Sequence, residues 1–219
     1  MMKNLLTVKT LIIEAKNFCE TEALNNHAEL IGVTDGKAVG TYIEHKLREY
    51  LSSRYIFTAG SSAKGIDFPD KNINTDLKVT SISQPQSSCP FNSSRQKIFG
   101  LGYNLLVIVY EKIDTANNCR LRFVSCTFID KSRTADYTAT KRLREMLNDG
   151  ANKEDLISYL ADRNIPGDEI TYDNLAEELL RTTPTQGYLT ISNALQWRLQ
   201  YARATTLGNK VNGIVNYEW

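Results

Sequence analysis

A chain of 219 residues, 42% apolar and 23% charged, is long enough for one medium domain with an appendage and too apolar to be disordered. Its 26 basic and 25 acidic residues leave a net charge of +1, which excludes the global basic character of histone-like binders, so any affinity for polyanions has to come from a local patch. Cys19, Cys89, Cys119 and Cys126 form no CxxC pair, and with only His27 and His45 beside them they give no zinc-ligand spacing and read as reduced, mostly buried thiols.

The chain starts with amphipathic-helix spacing, Leu5, Val8, Ile12, Ala15 and Phe18, interrupted by Lys9 and Glu14, rather than with a signal-peptide core. No transmembrane span follows, and a soluble cytoplasmic protein is the expectation. A polar stretch ends in Thr34-Asp35-Gly36, and a helix is predicted over 37–52, with Val39, Ile43, Leu47, Tyr50 and Leu51 on one face and Glu44, Arg48 and Glu49 on or beside the other. "RYIFTA" reads as a strand and "SSAKG" as a turn. "GIDF" and "NTDLKVTSI" read as an antiparallel hairpin turned by "PDKN". "SQPQSSCPFNSSRQK" is predicted to be a polar loop, with Ser93 and Gln96 at capping-box spacing, running into a short helix that stops near Gly100 or Gly102. "NLLVIVYE" has the continuous apolar run of a strand buried on both faces, and "RLRFVSCTFID" is a further strand. From about residue 134 the pattern turns helical, near 138–148, 153–162, 172–181 and 189–203. These elements predict an α/β core with a mixed sheet flanked by helices over 1–133, followed by a helical C-terminal subdomain over 134–219.

The hairpin carries the chemistry. With its turn centred between Lys71 and Asn72, residues whose numbers sum to 143 face one another, so Asp67 opposes Asp76 with Cβ atoms about 4.5–5.5 Å apart, and Lys78 projects from the same face. Like charges placed so repel unless a cation compensates, and a divalent metal held by oxygen ligands is the obvious one. Asp70, Asn72 and Asn74 read as turn formers. Asp76 fits that bland reading less well, because aspartate is disfavoured inside an apolar-rich strand. An EF-hand loop starting at Asp70 is excluded, since its sixth and twelfth positions hold Thr75 and Ser81 instead of glycine and glutamate.

An acidic residue on one strand, Asp-x-Lys on the next and a preceding helix with a glutamate, here Asp67, Asp76-Leu77-Lys78 and Glu44, resemble the PD-(D/E)xK nuclease superfamily. "KGIDFPD" through "TDLKVTSISQPQSSCPF" is similar to small bacterial type II restriction endonucleases in particular, over roughly residues 36–130. The resemblance implies a restriction-endonuclease-like core and Mg²⁺-dependent hydrolysis of phosphodiester bonds in double-stranded DNA. It further implies Asp67 and Asp76 as ligands of one or two Mg²⁺ ions, the Leu77 carbonyl as a further ligand, Lys78 acting on the attacking water and Glu44 completing the cluster. Glu49 is the competing glutamate. The literal Pro69-Asp70 lies only six residues before Asp76, so Asp70 is the fallback ligand and Asp67 the better one.

The loop after the catalytic strand is then expected beside DNA, and Gln84, Gln86, Ser87, Ser88, Ser94, Arg95 and Lys97, with Lys64 before the hairpin, are candidate contacts to bases or phosphates. Arg142, Arg144, Arg198, Arg203 and Lys210, expected on helices, could grip the backbone or form a subunit interface, while Trp197 and Tyr201 suit a core or interface. Cutting both strands of a two-fold symmetric site implies a homodimer. Two rivals stand beside a restriction enzyme: a repair, nicking or structure-specific nuclease of the same superfamily, and a non-catalytic DNA-binding module.

Overall fold

The computed structural model describes residues 3–60, 65–90, 92–193 and 196–219. Thr7 opens the first helix, α1 (Val8–Glu22), through a capping box with Thr10, and the two residues of β1 (Asn4–Leu5) precede it. Asp35 caps α2 (Gly36–Ser52) by accepting from the Lys37 N–H. The short β2 (Tyr55–Ile56) pairs in parallel with β1. Beyond it, β3 (Thr75–Ser81), β5 (Asn104–Asp114), β6 (Cys119–Ile129) and β9 (Ile214–Glu218) form one sheet in the order β3-β5-β6-β9. Only the β3–β5 pair is parallel. The sheet is therefore mixed, as predicted. Leu11, Ala15 and Phe18 of α1 and Val39, Ile43, Leu47 and Leu51 of α2 are buried in one core with Leu77, Leu106, Ile108, Leu121 and Phe123 of the sheet. The apolar run of β5 is buried on its other side too, at Leu105, Val107 and Val109.

These elements belong to the first of two compact units, residues 1–85, 103–129 and 205–219. The second, residues 86–102 and 130–204, holds the helices α3 (Ser94–Phe99), α4 (Tyr137–Asn148), α5 (Lys153–Asp162) and α6 (Glu169–Arg181), capped by Ser93, Asp136, Asn152 and Asp168. Its core gathers Ile98, Leu143, Leu156, Leu160, Ile165, Leu175 and Leu179. A three-stranded antiparallel sheet, β4 (Gln86–Pro90), β8 (Gln196–Gln200) and β7 (Thr190–Ile191), completes it, and the four-residue α7 (Ala202–Thr205) follows β8.

Three expectations change. The segment 189–203 holds β7 and β8 where a helix was expected, because Trp197 and Leu199 point inward while Arg198 and Gln200 point out, a period of two that the i,i+4 pair Trp197 and Tyr201 disguised. Part of the expected polar loop is β4, whose partner β8 lies more than 100 residues away and leaves no local signal. The division at 133/134 differs from the compact units, because 86–102 packs with the helical part and the chain returns at β9 to finish the first sheet.

Candidate active site

Two hydrogen bonds between Phe68 and Thr75, each 3.0 Å, fix the hairpin in the register that sums to 143, so Asp67 stands across from Asp76. Asp70 makes the turn: its carbonyl accepts from Ile73 and Asn74, at 2.8 and 2.7 Å. Its carboxylate accepts from the Thr58 N–H at 2.8 Å, which holds it below the usual carboxylate range. Asp70 is thus a structural anchor, and the carboxylate that meets Asp76 is that of Asp67.

β3 is an edge strand, and Asp67 uses that edge. Its Oδ2 accepts from the Leu77 N–H at 2.8 Å, and its own carbonyl accepts from the Gly60 N–H at 2.8 Å. A residue's N–H and C=O point to the same side of an extended strand, so the Leu77 carbonyl faces that edge as well. Asp67 faces Asp76 across the hairpin, and Lys78 Nζ lies 2.8 Å from Asp76 Oδ2. Asp76 is only 3% exposed, and burial pushes its carboxyl up to about 7 against the opposing pull of Lys78, with the Asp67 contact adding to the rise. Near neutrality, Asp76 is therefore close to half-protonated and can donate to Asp67. Glu44, on α2, is raised first by burial and then by Asp67, with Lys78 and Arg48 opposing, which puts it within electrostatic reach of the same cluster.

Arg48 is the residue that sequence reasoning left on a helix face. One turn after Glu44 on α2, its guanidinium pairs with Asp67 Oδ1, so both oxygens of Asp67 are held. The i,i+4 placement of Glu44 and Arg48 was the available signal, and it also describes an ordinary solvated face. Glu49 is exposed.

The donor set suits a hard divalent cation: carboxylate oxygens from Asp67 and Asp76, an edge-facing backbone carbonyl and a nearby Glu44. A buried carboxyl driven up to about 7 is the kind of group that such a cation would return to its charged form. Among the described residues, no three His, Cys, Asp or Glu side chains already stand as a closed cage.

The expected DNA contacts separate once the strands are known. Lys64 lies outside the described residues. Gln84 is exposed in the turn after β3, and Gln86 and Ser88 alternate outward on β4. Three others are corrected. Ser87 lies opposite Leu199 on the inner face and hydrogen-bonds to the Tyr201 hydroxyl. Ser94 is buried as the first residue of α3. Lys97 is buried, donates to the Ile191 carbonyl at 2.6 Å and to Asn193 Oδ1, and is lowered by that burial. The buried Ser94 and Lys97 have no surface with which to meet a base or phosphate, and Ser87, half-buried, turns its hydroxyl to Tyr201. Arg95 is exposed but already forks onto Glu178 through contacts of 2.6–3.0 Å. Of the C-terminal cations, Arg142 pairs with Glu145, Arg144 donates to the Pro184 carbonyl and Arg203 stacks over Tyr137.

A family model described as type II restriction enzyme NspV matches residues 5–216. The curated type II restriction enzyme NspV of Nostoc sp. (strain ATCC 29411 / PCC 7524) is 52% identical over 213 residues, 96% of each chain. No solved structure matches the chain.

Proposed function

The chain belongs to the type II restriction enzyme NspV family and is a site-specific, divalent-metal-dependent endonuclease acting on DNA; from that premise we propose that Asp67, Asp76, Lys78 and Glu44 form its hydrolytic centre. The observation that carries this is the placing of Asp67 across from Asp76 by the Phe68–Thr75 bond pair on a sheet edge, with Lys78 2.8 Å from Asp76. Family membership decides against the repair-nuclease and binding-module readings. No helix among the described residues is long and apolar enough to cross a membrane.

In this reading Asp67, Asp76 and the Leu77 carbonyl hold one or two Mg²⁺ ions, and Glu44 completes the set directly or through water. When bound, the metal supplies positive charge against the reacting phosphate and acidifies the attacking water. The protein's own part is positional and protonic. The Leu77 N–H and Arg48 fix the two oxygens of Asp67. Asp76 has to give up the proton that it holds near neutrality, and the adjacent Lys78 ammonium favours that loss. Lys78 then orients the attacking water or stabilises negative charge on the phosphate. The exposed Gln84 and Ser88 and the half-buried Gln86 remain candidate DNA contacts, and a cytoplasmic homodimer is the assembly that double-strand cleavage of a symmetric site calls for.

Replacing Lys78 by Ala tests the centre. Cleavage of plasmid DNA into discrete fragments with Mg²⁺ should fall by at least about 100-fold, as is usual for loss of a proton-handling or charge-stabilising group. DNA binding should be largely retained. Full cleavage by Lys78→Ala would sink the assignment.

A further inference from the structure

The sheet of the second unit has one apolar face and one polar face. Cys89, Ile191, Trp197 and Leu199 are all buried on the inner side. The strand register then fixes what lies outside: Gln86 opposite Gln200, Thr190 on the other side of Gln200, and Ser88 opposite Arg198. Ser88, Thr190, Arg198 and Gln200 are exposed and Gln86 is half-buried. These five side chains include no carboxylate and one cation, in a chain whose acids and bases are nearly equal in number.

We propose that the outer face of β4-β8-β7 reads base edges of the DNA target in the major groove, with Arg198, Gln200 and Gln86 as specificity-determining residues. The proposal rests on the endonuclease reading for its substrate, and it adds residues that the hydrolytic centre does not use. A two-stranded antiparallel ribbon is one of the two shapes that the major groove admits. Its side chains are those that read bases: arginine can fork onto the O6 and N7 of guanine, glutamine onto the N6 and N7 of adenine, and serine and threonine pair with either. Outward residues on a strand repeat about every 6.8 Å, close to two base-pair steps of about 3.4 Å, so the Gln86/Gln200 row and the Ser88/Arg198 row are spaced for base pairs two steps apart. Arg198 is also held in place for this. The Ser192 hydroxyl accepts from its N–H at 2.9 Å, and the Ser192 N–H donates to its carbonyl at 3.2 Å. One cation and no carboxylate among these five described side chains match a polyanion, and hydrogen-bonding side chains around the cation serve recognition more than simple attraction.

The test uses the full chain. The cleaved sequence is mapped with the wild-type protein, and binding to that duplex and to duplexes altered at one base pair is compared for wild type, Arg198→Ala, Arg198→Lys and Gln200→Ala. Each Ala variant should lower the ratio of cognate to altered-site affinity by about 10- to 100-fold at one position, as loss of a bidentate base contact does. Arg198→Lys should keep most of the salt-dependent affinity and still lose discrimination. Unchanged ratios in all three variants, or full rescue by lysine, would overturn the proposal, the latter by making Arg198 a phosphate contact. So would a change in oligomeric state with discrimination intact, which would make the face a subunit contact. As a check that needs no variant, cognate duplex should protect Arg198 of the wild-type protein from modification by a dicarbonyl reagent, and equal reactivity with and without DNA counts against the face. Absence of any metal-dependent cleavage by wild type would instead undo the endonuclease reading; the cognate duplex is then the one selected from random duplexes by wild-type binding, and the same ratios judge the face.

Discussion

Replacing Asp76 by Asn should make the metal-free protein more stable at pH 8 while abolishing cleavage. A carboxyl moved from 3.8 to about 7 has its ionised form disfavoured in the folded state by about 4 kcal/mol, at 1.36 kcal/mol for each pH unit. The sign follows from the direction of the shift. The folded state binds the proton more tightly than the unfolded state, so stability is whole below about pH 4, declines as pH rises from about 4 to about 7, and stays reduced above that. Asparagine removes the ionisation and can still donate to Asp67. The pull of Lys78 is already contained in that shift, so its loss subtracts nothing further. The gain at pH 8 is then about 4 kcal/mol, or about 8–16 °C in melting midpoint for a protein of this size. Calorimetry or circular-dichroism melts in EDTA at pH 5 and pH 8 read it directly. The gain should shrink to about 1–2 kcal/mol at pH 5 and vanish below about pH 4. A difference that is the same at both pH values, or that favours wild type at pH 8, would refute a buried Asp76 carboxyl held up by its surroundings.

The same protonation state links metal uptake to proton release. At pH 7 a divalent ion binding at Asp76 should release about half a proton per site, and close to none at pH 9; titration calorimetry in two buffers of different ionisation enthalpy measures it, and release that does not vary with pH would place the metal elsewhere. Gly60→Ala should weaken cleavage by about 100-fold with DNA binding retained, in line with what misplacing a reactive group by about 1 Å costs. The added Cβ would meet the Ile66 carbonyl oxygen at 1.8 Å, and Gly60 is the donor to the Asp67 carbonyl, so Asp67 must shift. Normal kinetics in this variant would show that the backbone position of Asp67 is not critical. Lys97→Met should lower the melting midpoint by leaving the Ile191 carbonyl and Asn193 without their donor, and should leave the slope of DNA affinity against salt unchanged. A slope reduced by about one unit would make Lys97 a phosphate contact.

The hairpin was legible because its information is local. The turn formers from Asp70 to Asn74 fix the midpoint, the midpoint fixes the register, and the bond pair between Phe68 and Thr75 is that register. The start of α3 was legible for the same reason, since Ser93 caps it within a few residues of itself. What escaped depends on partners far along the chain. β4 becomes a strand only because β8 pairs with it, and that pairing alone sorts Gln86 and Ser88 outward from Ser87. Lys97 looked like a phosphate contact because a polar stretch shows no sign of the burial that α3 and the residues after β7 impose on it. Arg48 escaped because an arginine one turn from a glutamate has the same pattern whether it faces water or a carboxylate.

Asp67 also does something for the sheet that no substrate requires. β3 ends its sheet, and an open edge is a template on which another chain can add a strand. Here the Thr75 N–H is taken by the Phe68 carbonyl and the Leu77 N–H by the Asp67 carboxylate. The charge that would receive the metal therefore doubles as a guard against edge-to-edge aggregation. An inactive enzyme made by substituting Asp67 should thus be harder to keep in solution than one made by substituting Lys78, even though both lose the same activity.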